Sequence, residues 1–186
     1  MPAMRDSIYG VPRVIRRGDW RTMLWKNGRG VTHELVCLGD GAGGFGLRMS
    51  IAEVSSDGPF SRFEGVDRVI TPIAGKGFRL RRADGFTVTL ERVGEPFAFA
   101  GEDDWACTLL DGPTMDFNVM TDRARWTASV AHRAIGVIDA PYVLALARGT
   151  FGGVALDAFD LVVTAEPGEA TAPVLAVTAA PRSVTR

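Results

Sequence analysis

The residues from Trp25 onward bring an aromatic ring, an amide, a hydroxyl and a carboxylate close together in the chain. Asn27 and Gly28 are a strong turn signal, because both residue types tolerate a positive φ. Trp25 could form an apolar wall beside this turn, with Asn27, Thr32 and Glu34 supplying polar groups. A hairpin with a packed tryptophan would explain the same residues equally well.

Polar residues at alternate positions of strand-like runs form a second set of candidates. Arg48 and Ser50 alternate with apolar residues and so share one face, as do Asp116 and Asn118. Arg48 could hold a ligand carboxylate through two hydrogen bonds, and Arg68 is a second, weaker candidate for that role. The amides of Asn27 and Asn118 could recognise an amide or formyl group. The sequence therefore predicts a small-molecule site built on rigid strands.

The same residues leave alternatives open. Arg48 could instead pair with Glu34 or Asp116 as a structural ion pair on an outer face. If the protein is an enzyme that needs no metal, Glu34 or Asp116 is the expected acid or base.

Other kinds of chemistry find little support in the sequence. His33 and His132 are the only histidines, and they are too isolated to predict a metal site built from two or three histidines and a carboxylate. No phosphate-binding loop with the sequence GxxxxGK[ST] and no GxSxG serine motif is present. We therefore expect no metal and no cofactor.

Composition limits the class of protein. A chain of 186 residues suits one large domain or two small fused ones, and a net charge of −1 without a basic cluster argues against nucleic acid. No apolar run is long enough to span a bilayer, and the N-terminus does not resemble a signal peptide. Cys37 and Cys107 lack CxxC partners and are expected to be reduced core residues. The expected location is the cytoplasm.

Short alternating or apolar runs separated by Gly, Pro and Asp predict an antiparallel β protein, for example at Val31–Leu38, Gly46–Val54 and Met115–Thr121. A short helix could lie in Asp57–Gly65 or Thr121–Arg125. Asp57–Ser61 is predicted to connect two strands, with a lid over the site as the alternative.

A weak repeat runs through this pattern. Val69–Gly75 resembles Val143–Gly149, and the pair Gly94-Glu95 resembles Gly168-Glu169, both at a separation of 74 residues. Chance recurrence of turn residues would also explain these matches. If the repeat is real, the chain contains two similar β-barrel halves.

An apolar strand ending in Gly, a hairpin and a Gly-Glu turn resembles the core of a cupin barrel. Part of the chain closely resembles the HutD/Ves family through five ordered segments: Met23–Thr32, Leu47–Ala52, Asp57–Phe63, Gly65–Arg68 and Leu110–Met120. This resemblance implies a bacterial, cytoplasmic bicupin associated with histidine utilisation. It also implies binding of an intermediate such as formylglutamate or urocanate, with a moderating rather than a catalytic role.

We therefore predict an all-β bicupin with two antiparallel barrels of the double-stranded β-helix type. The expected halves are residues 1–105 and 106–186, with strands exchanged between them. The predicted function is regulatory binding of a small carboxylate metabolite, and a homodimer is compatible with it. The alternatives are a metal-independent enzyme acting on such a metabolite and a structural or stress protein without a ligand.

Overall fold

The computed structural model describes residues 12–25, 28 and 30–182, and these residues form β-strands almost throughout. The one helical element among them is a 3₁₀ turn at Arg17–Asp19. The all-β prediction is confirmed. The short helix expected in Asp57–Gly65 or Thr121–Arg125 is wrong, because turns and strand ends occupy both places. No helix in the described part of the chain is long and apolar enough to cross a membrane.

The first strands in chain order are β1 (Arg13–Ile15), β2 (Arg21–Leu24), β3 (Gly30–Gly39), β4 (Phe45–Val54), β5 (Gly58–Pro59), β6 (Val66–Ala74), β7 (Phe78–Arg82), β8 (Thr87–Leu90), β9 (Phe97–Ala100), β10 (Trp105–Leu109) and β11 (Thr114–Asp122). The remaining strands are β12 (Trp126–Arg133), β13 (Gly136–Ile138), β14 (Tyr142–Ala145), β15 (Gly149–Phe151), β16 (Val154–Leu156), β17 (Leu161–Val163), β18 (Gly168–Ala170) and β19 (Val174–Pro181).

The chain divides into two compact units. The larger unit contains the described residues of Arg21–Ser129 and those from Ala179 onward. It has a six-stranded sheet in the order β2-β3-β4-β11-β6-β9 and a four-stranded sheet in the order β5-β10-β7-β8. A buried cluster that includes Ile70, Phe78 and Trp105 joins residues of both sheets. This burial of apolar surface is the main stabilising contribution to the unit.

The smaller unit contains the described residues up to Trp20 together with Val130–Thr178. Its sheets have the orders β1-β17-β14-β19-β12 and β13-β18-β15-β16. An apolar cluster that includes Val143, Phe151 and Val162 fills it. In both units the strands form two separate sheets rather than one closed hydrogen-bonded barrel. The domain boundary expected after residue 105 stays a prediction. The two compact units of the structure meet in the chain after Ser129.

The strand pairings of β4–β11 recur in β12–β19. β6 pairs with β9 and β11, and β7 pairs with β8 and β10. In the same way β14 pairs with β17 and β19, and β15 pairs with β16 and β18. The outer partners also correspond, because β5 lies beside β10 and β13 lies beside β18. An internal repeat of strand topology therefore exists.

The predicted separation of 74 residues between equivalent positions holds only for the first strand of the repeat, and it is wrong for the later strands. Gly168 begins β18, which corresponds to β10, whereas Gly94 lies in the turn before β9. Residues 83–86 connect β7 to β8, but only Gly152 and Gly153 connect β15 to β16. Both glycines have positive φ, which suits a tight two-residue hairpin. The shorter connections of the second copy progressively reduce the separation.

Candidate functional site

A cavity of about 460 Å³ lies in the larger unit, over one face of the six-stranded sheet. Strands β4, β6 and β11 supply most of its polar side chains. Because side chains alternate along a strand, Arg48 and Ser50 face the cavity, whereas Leu47 and Met49 are fully buried on the other face. The cavity is lined by Leu24, Trp25, Thr32, Arg48, Ser50, Ala52, Val54, Pro59, Phe60, Ser61, Phe63, Arg68, Ile70, Asp116, Asn118 and Met120.

The structure brings most of the predicted site residues to this cavity. Those that line it are Trp25, Thr32, Arg48, Ser50, Arg68, Asp116 and Asn118. Glu34 is not part of the lining but contacts Arg48. Asn27 lies outside the described residues. Strand register explains the grouping, because Met120 of β11 lies opposite Arg48 on β4 and Arg68 on β6.

Arg48 takes part in an ion pair. Its Nε donates to Oε2 of Glu34 at 2.8 Å, and both side chains are largely shielded from solvent. Arg21 adds a weaker contact, with Nη1 3.7 Å from Glu34 Oε1. The ion pair considered for the outer face thus exists, but Arg48 also lines the cavity.

Arg68 is the more deeply buried arginine, with 7% of its surface exposed. Nη2 donates to Asn118 Oδ1 at 2.9 Å, and Nη1 donates to the Ser61 carbonyl at 3.2 Å. Its Nε has no hydrogen-bond partner, and no carboxylate of the described residues lies within ion-pair distance. Burial lowers the pKa of Arg68 to about 10, although the Asp116 carboxylate opposes this fall and the Arg48 charge adds to it, and Arg68 stays charged.

Three aromatic rings surround the Arg68 guanidinium. Its Cζ lies 5.4, 5.5 and 4.9 Å from the ring centroids of Phe60, Phe63 and Phe99. Such cation–π contacts stabilise a cation that has left water. The sequence analysis did not include Phe63 and Phe99 among the site residues. Phe63 lies only five positions before Arg68 in the chain, and this proximity could have pointed to it.

Asp116 is enclosed, with 1% of its surface exposed. The Asn118 amide Nδ2 donates a short hydrogen bond to Asp116 Oδ1. Burial raises the pKa of Asp116 to about 7, although Arg68 and the Asn118 hydrogen bond oppose this rise. Asn118 therefore connects a guanidinium on one strand with a carboxyl group whose pKa is raised by burial.

Trp25 lines the cavity beside Thr32. Its indole Nε1 donates to Thr32 Oγ1 at 2.8 Å, and its backbone N donates to the Gly30 carbonyl at 3.0 Å. A Cβ on Gly30 would lie 2.9 Å from the Trp25 ring and 2.6 Å from the Glu53 carbonyl oxygen. Glycine is thus needed there for close packing of the ring.

The histidines and cysteines offer no further site. His33 Nε2 lies 3.0 Å from Glu53 Oε1, and no group of three or more His, Cys, Asp or Glu side chains in the described residues could share a metal ion. Burial raises the pKa of the Cys107 thiol to about 12, so it stays protonated. Cys37 is an exposed residue, so the expectation that it lies in the core is wrong. Partial burial of its thiol group nevertheless raises the pKa of that thiol.

Comparison with known proteins identifies relatives of this chain. The HutD family model matches residues 17–178. The chain belongs to the HutD family. A solved structure of HutD from Pseudomonas fluorescens SBW25 is 31% identical, with a TM-score of 0.83, and the match covers 93% of this chain and 100% of that one.

Curated relatives of this HutD-family chain match it over shorter stretches. One is an uncharacterized 21.2 kDa protein in the hutC 3′ region of Pseudomonas putida, 40% identical over 62% of this chain. Another is protein Ves of Citrobacter koseri, 44% identical over 58% of this chain. The matched regions span 61% and 56% of these relatives' own lengths.

More distant structures share the fold alone. A cupin 2 conserved barrel domain protein from Leptotrichia buccalis is 10% identical, with a TM-score of 0.54 over 82% of this chain. The HutD-family chain is therefore all-β and cupin-like.

Proposed function

We propose that this protein binds a small carboxylate metabolite in the cavity of its larger unit and acts as a regulator rather than as an enzyme. The carrying observation is Arg68, a buried guanidinium without a carboxylate partner among the described residues. A buried charge is costly unless it is paired, and a ligand carboxylate would supply the missing partner. Arg48 would act as a second cation and Trp25 as an apolar wall.

The link with histidine utilisation rests on membership of the HutD family and on the Pseudomonas putida relative in the hutC 3′ region. Formylglutamate and urocanate are the proposed ligands, because both carry carboxylates and an amide or ring that Asn118 and Trp25 could contact. We further propose a bicupin in which each unit is a barrel closed by side-chain packing, located in the cytoplasm. Independence from metals, nucleic acid and membranes belongs to the same proposal, and a homodimer is compatible with it.

One observation favours an enzyme as the second candidate. A carboxyl group with a pKa of about 7 suits an acid or base at neutral pH, and Asp116 has this property inside the cavity. Appearance of product from formylglutamate or urocanate would support the enzyme. A saturable heat without product would support the binding protein, and neither result would favour a structural protein.

The test is calorimetric titration of the wild type and Arg68→Met with formylglutamate and urocanate. A hydrogen bond to a charged group contributes about 1.5–3 kcal/mol, so the variant should bind roughly ten- to hundredfold more weakly. Arg79→Met is the control, because Arg79 lies on β7 outside the cavity, where its Nε donates to Thr89 Oγ1. Equal affinity of wild type and a folded Arg68→Met would rule out Arg68 as the anchor.

A further inference from the structure

We propose that the cavity takes up its carboxylate ligand together with one proton, which is held by Asp116. This inference rests on the proposed function, because it concerns how the same cavity accepts an anion. It adds that ligand binding depends on pH, because protonation of Asp116 removes a negative charge that would repel an anionic ligand.

The first observation is the environment of the Asp116 side chain. The carboxyl group is enclosed and lines the cavity, and its described hydrogen-bond donor is the Asn118 amide at Oδ1. Arg68 does not pair with it directly, because the guanidinium reaches Asn118 Oδ1 instead. The ionised carboxylate is thus enclosed without a direct cation, an arrangement that favours the neutral acid.

The second step is the set of charges that face Asp116 from neighbouring strands. β4 contributes Arg48, whose charge is matched by Glu34 of β3, and β6 contributes Arg68. β10 contributes the Cys107 thiol, which is neutral and is further held so by Asp57. Among Arg48, Glu34, Arg68 and Asp116 the positive and negative charges cancel when Asp116 is ionised, whereas one positive charge remains when it is protonated.

The consequence is thermodynamic linkage between the ligand and the proton. An anion placed beside Arg68 is repelled by ionised Asp116 and not by the neutral acid, so binding raises the pKa of Asp116 further. In the free protein this pKa is already raised to about 7 by burial. Binding is therefore fully favourable below about pH 7, and it weakens as the pH rises and the carboxylate forms.

The experiment measures affinity and proton uptake with formylglutamate as the probe, whose carboxylates are ionised throughout the range. Between pH 6 and pH 8 the affinity should fall about tenfold, the limit for loss of one proton near pH 7. At pH 7, titrations in two buffers of different ionisation enthalpy should show net proton uptake. Affinity that is constant with pH, without proton uptake, would overturn this inference and leave the proposed function standing. Absence of binding at every pH would overturn the proposed function and this inference together.

The variant Asp116→Asn tests whether Asp116 is the group that takes up the proton. The variant keeps the shape and an oxygen that can accept from Asn118, but it cannot ionise. It should bind at pH 8 about as tightly as the wild type binds at pH 6, without proton uptake. Asp104→Asn, which alters an exposed carboxylate outside the cavity, should keep the tenfold fall. A tenfold fall that persists in Asp116→Asn would place the proton elsewhere and overturn the assignment.

If Asp116→Asn does not fold, the wild type still decides. Carbon-13 NMR of aspartate carboxyl groups should show one group with a midpoint near pH 7 that moves upward when formylglutamate is added. Aspartate midpoints that the ligand leaves unchanged would overturn the proposal.

Discussion

Arg48 and Arg68 lie on either side of Met120 in the sheet, yet their charges are balanced differently. Glu34 matches the charge of Arg48 across 2.8 Å, whereas Arg68 contacts a carbonyl, an amide and aromatic rings. Arg48 is held in place before any ligand arrives, whereas Arg68 has no carboxylate of the described residues within ion-pair distance and interacts with Asp116 only at longer range. Both residues therefore suit a carboxylate site, with Arg68 as the stronger anchor.

Arg48→Met should show the double role of Arg48. Affinity for formylglutamate should fall roughly ten- to hundredfold, measured by calorimetry. Urea melts should show destabilisation below the roughly 3–5 kcal/mol typical of a broken buried pair, because Arg21 still lies near Glu34.

The double variant Arg48→Met/Glu34→Gln is the control for this prediction. It removes the unmatched carboxylate, so stability should recover while affinity stays low. Unchanged affinity in a folded Arg48→Met protein would exclude Arg48 from the site.

At the scale of elements, the segment after β5 forms a fixed rim of the cavity. The backbone N of Phe60 donates to the Trp105 carbonyl, and that of Phe63 donates to the Gly101 carbonyl, both at 2.8 Å. Asp57 Oδ1 accepts from the backbone N of Leu109 at 2.8 Å. These bonds support the interpretation as an anchored connection over that as a mobile lid.

Phe60→Leu and Phe63→Leu should each weaken ligand binding by loosening the Arg68 guanidinium. A cation–π contact contributes about 0.5–2 kcal/mol, which corresponds to a roughly 2- to 30-fold loss of affinity in calorimetric titrations. Phe86→Leu is the matched control, since the Phe86 ring lies 5.4 Å from Arg82, outside the cavity. Losses no larger than in Phe86→Leu would show that the rings do not position Arg68.

The strands that carry the site could be predicted from the sequence, but which strands pair with one another could not. Period-two alternation gave Gly46–Val54 and Met115–Thr121 within one residue of β4 and β11 at each end. The bond from Arg68 to Asn118 joins residues 50 positions apart, and it depends on β6 pairing with β11. Alternation fixes the face of a side chain and not its partner strand, so Arg68 was ranked below Arg48.

For the whole molecule, the repeated strand pairings contrast with an unequal distribution of polar residues. In the larger unit, β6 and β11 present Arg68, Asp116 and Asn118 to the cavity. In the smaller unit, the buried residues of the corresponding β14 and β19 are apolar apart from Tyr142, and Val143 and Val174 are among them. The repeat preserves topology, while one unit carries a polar cavity and the corresponding strands of the other carry an apolar cluster.

This asymmetry predicts one ligand per chain despite the repeated topology. A carboxylate needs a cation and hydrogen-bond donors, and the apolar cluster around Val143 offers neither, so a second anion would enter at the full cost of desolvation. Calorimetry and native mass spectrometry with formylglutamate should therefore give a stoichiometry of about one per chain. Arg68→Met should weaken that single event without uncovering another. Two equivalent binding events per chain would contradict the assignment of the site to the larger unit alone.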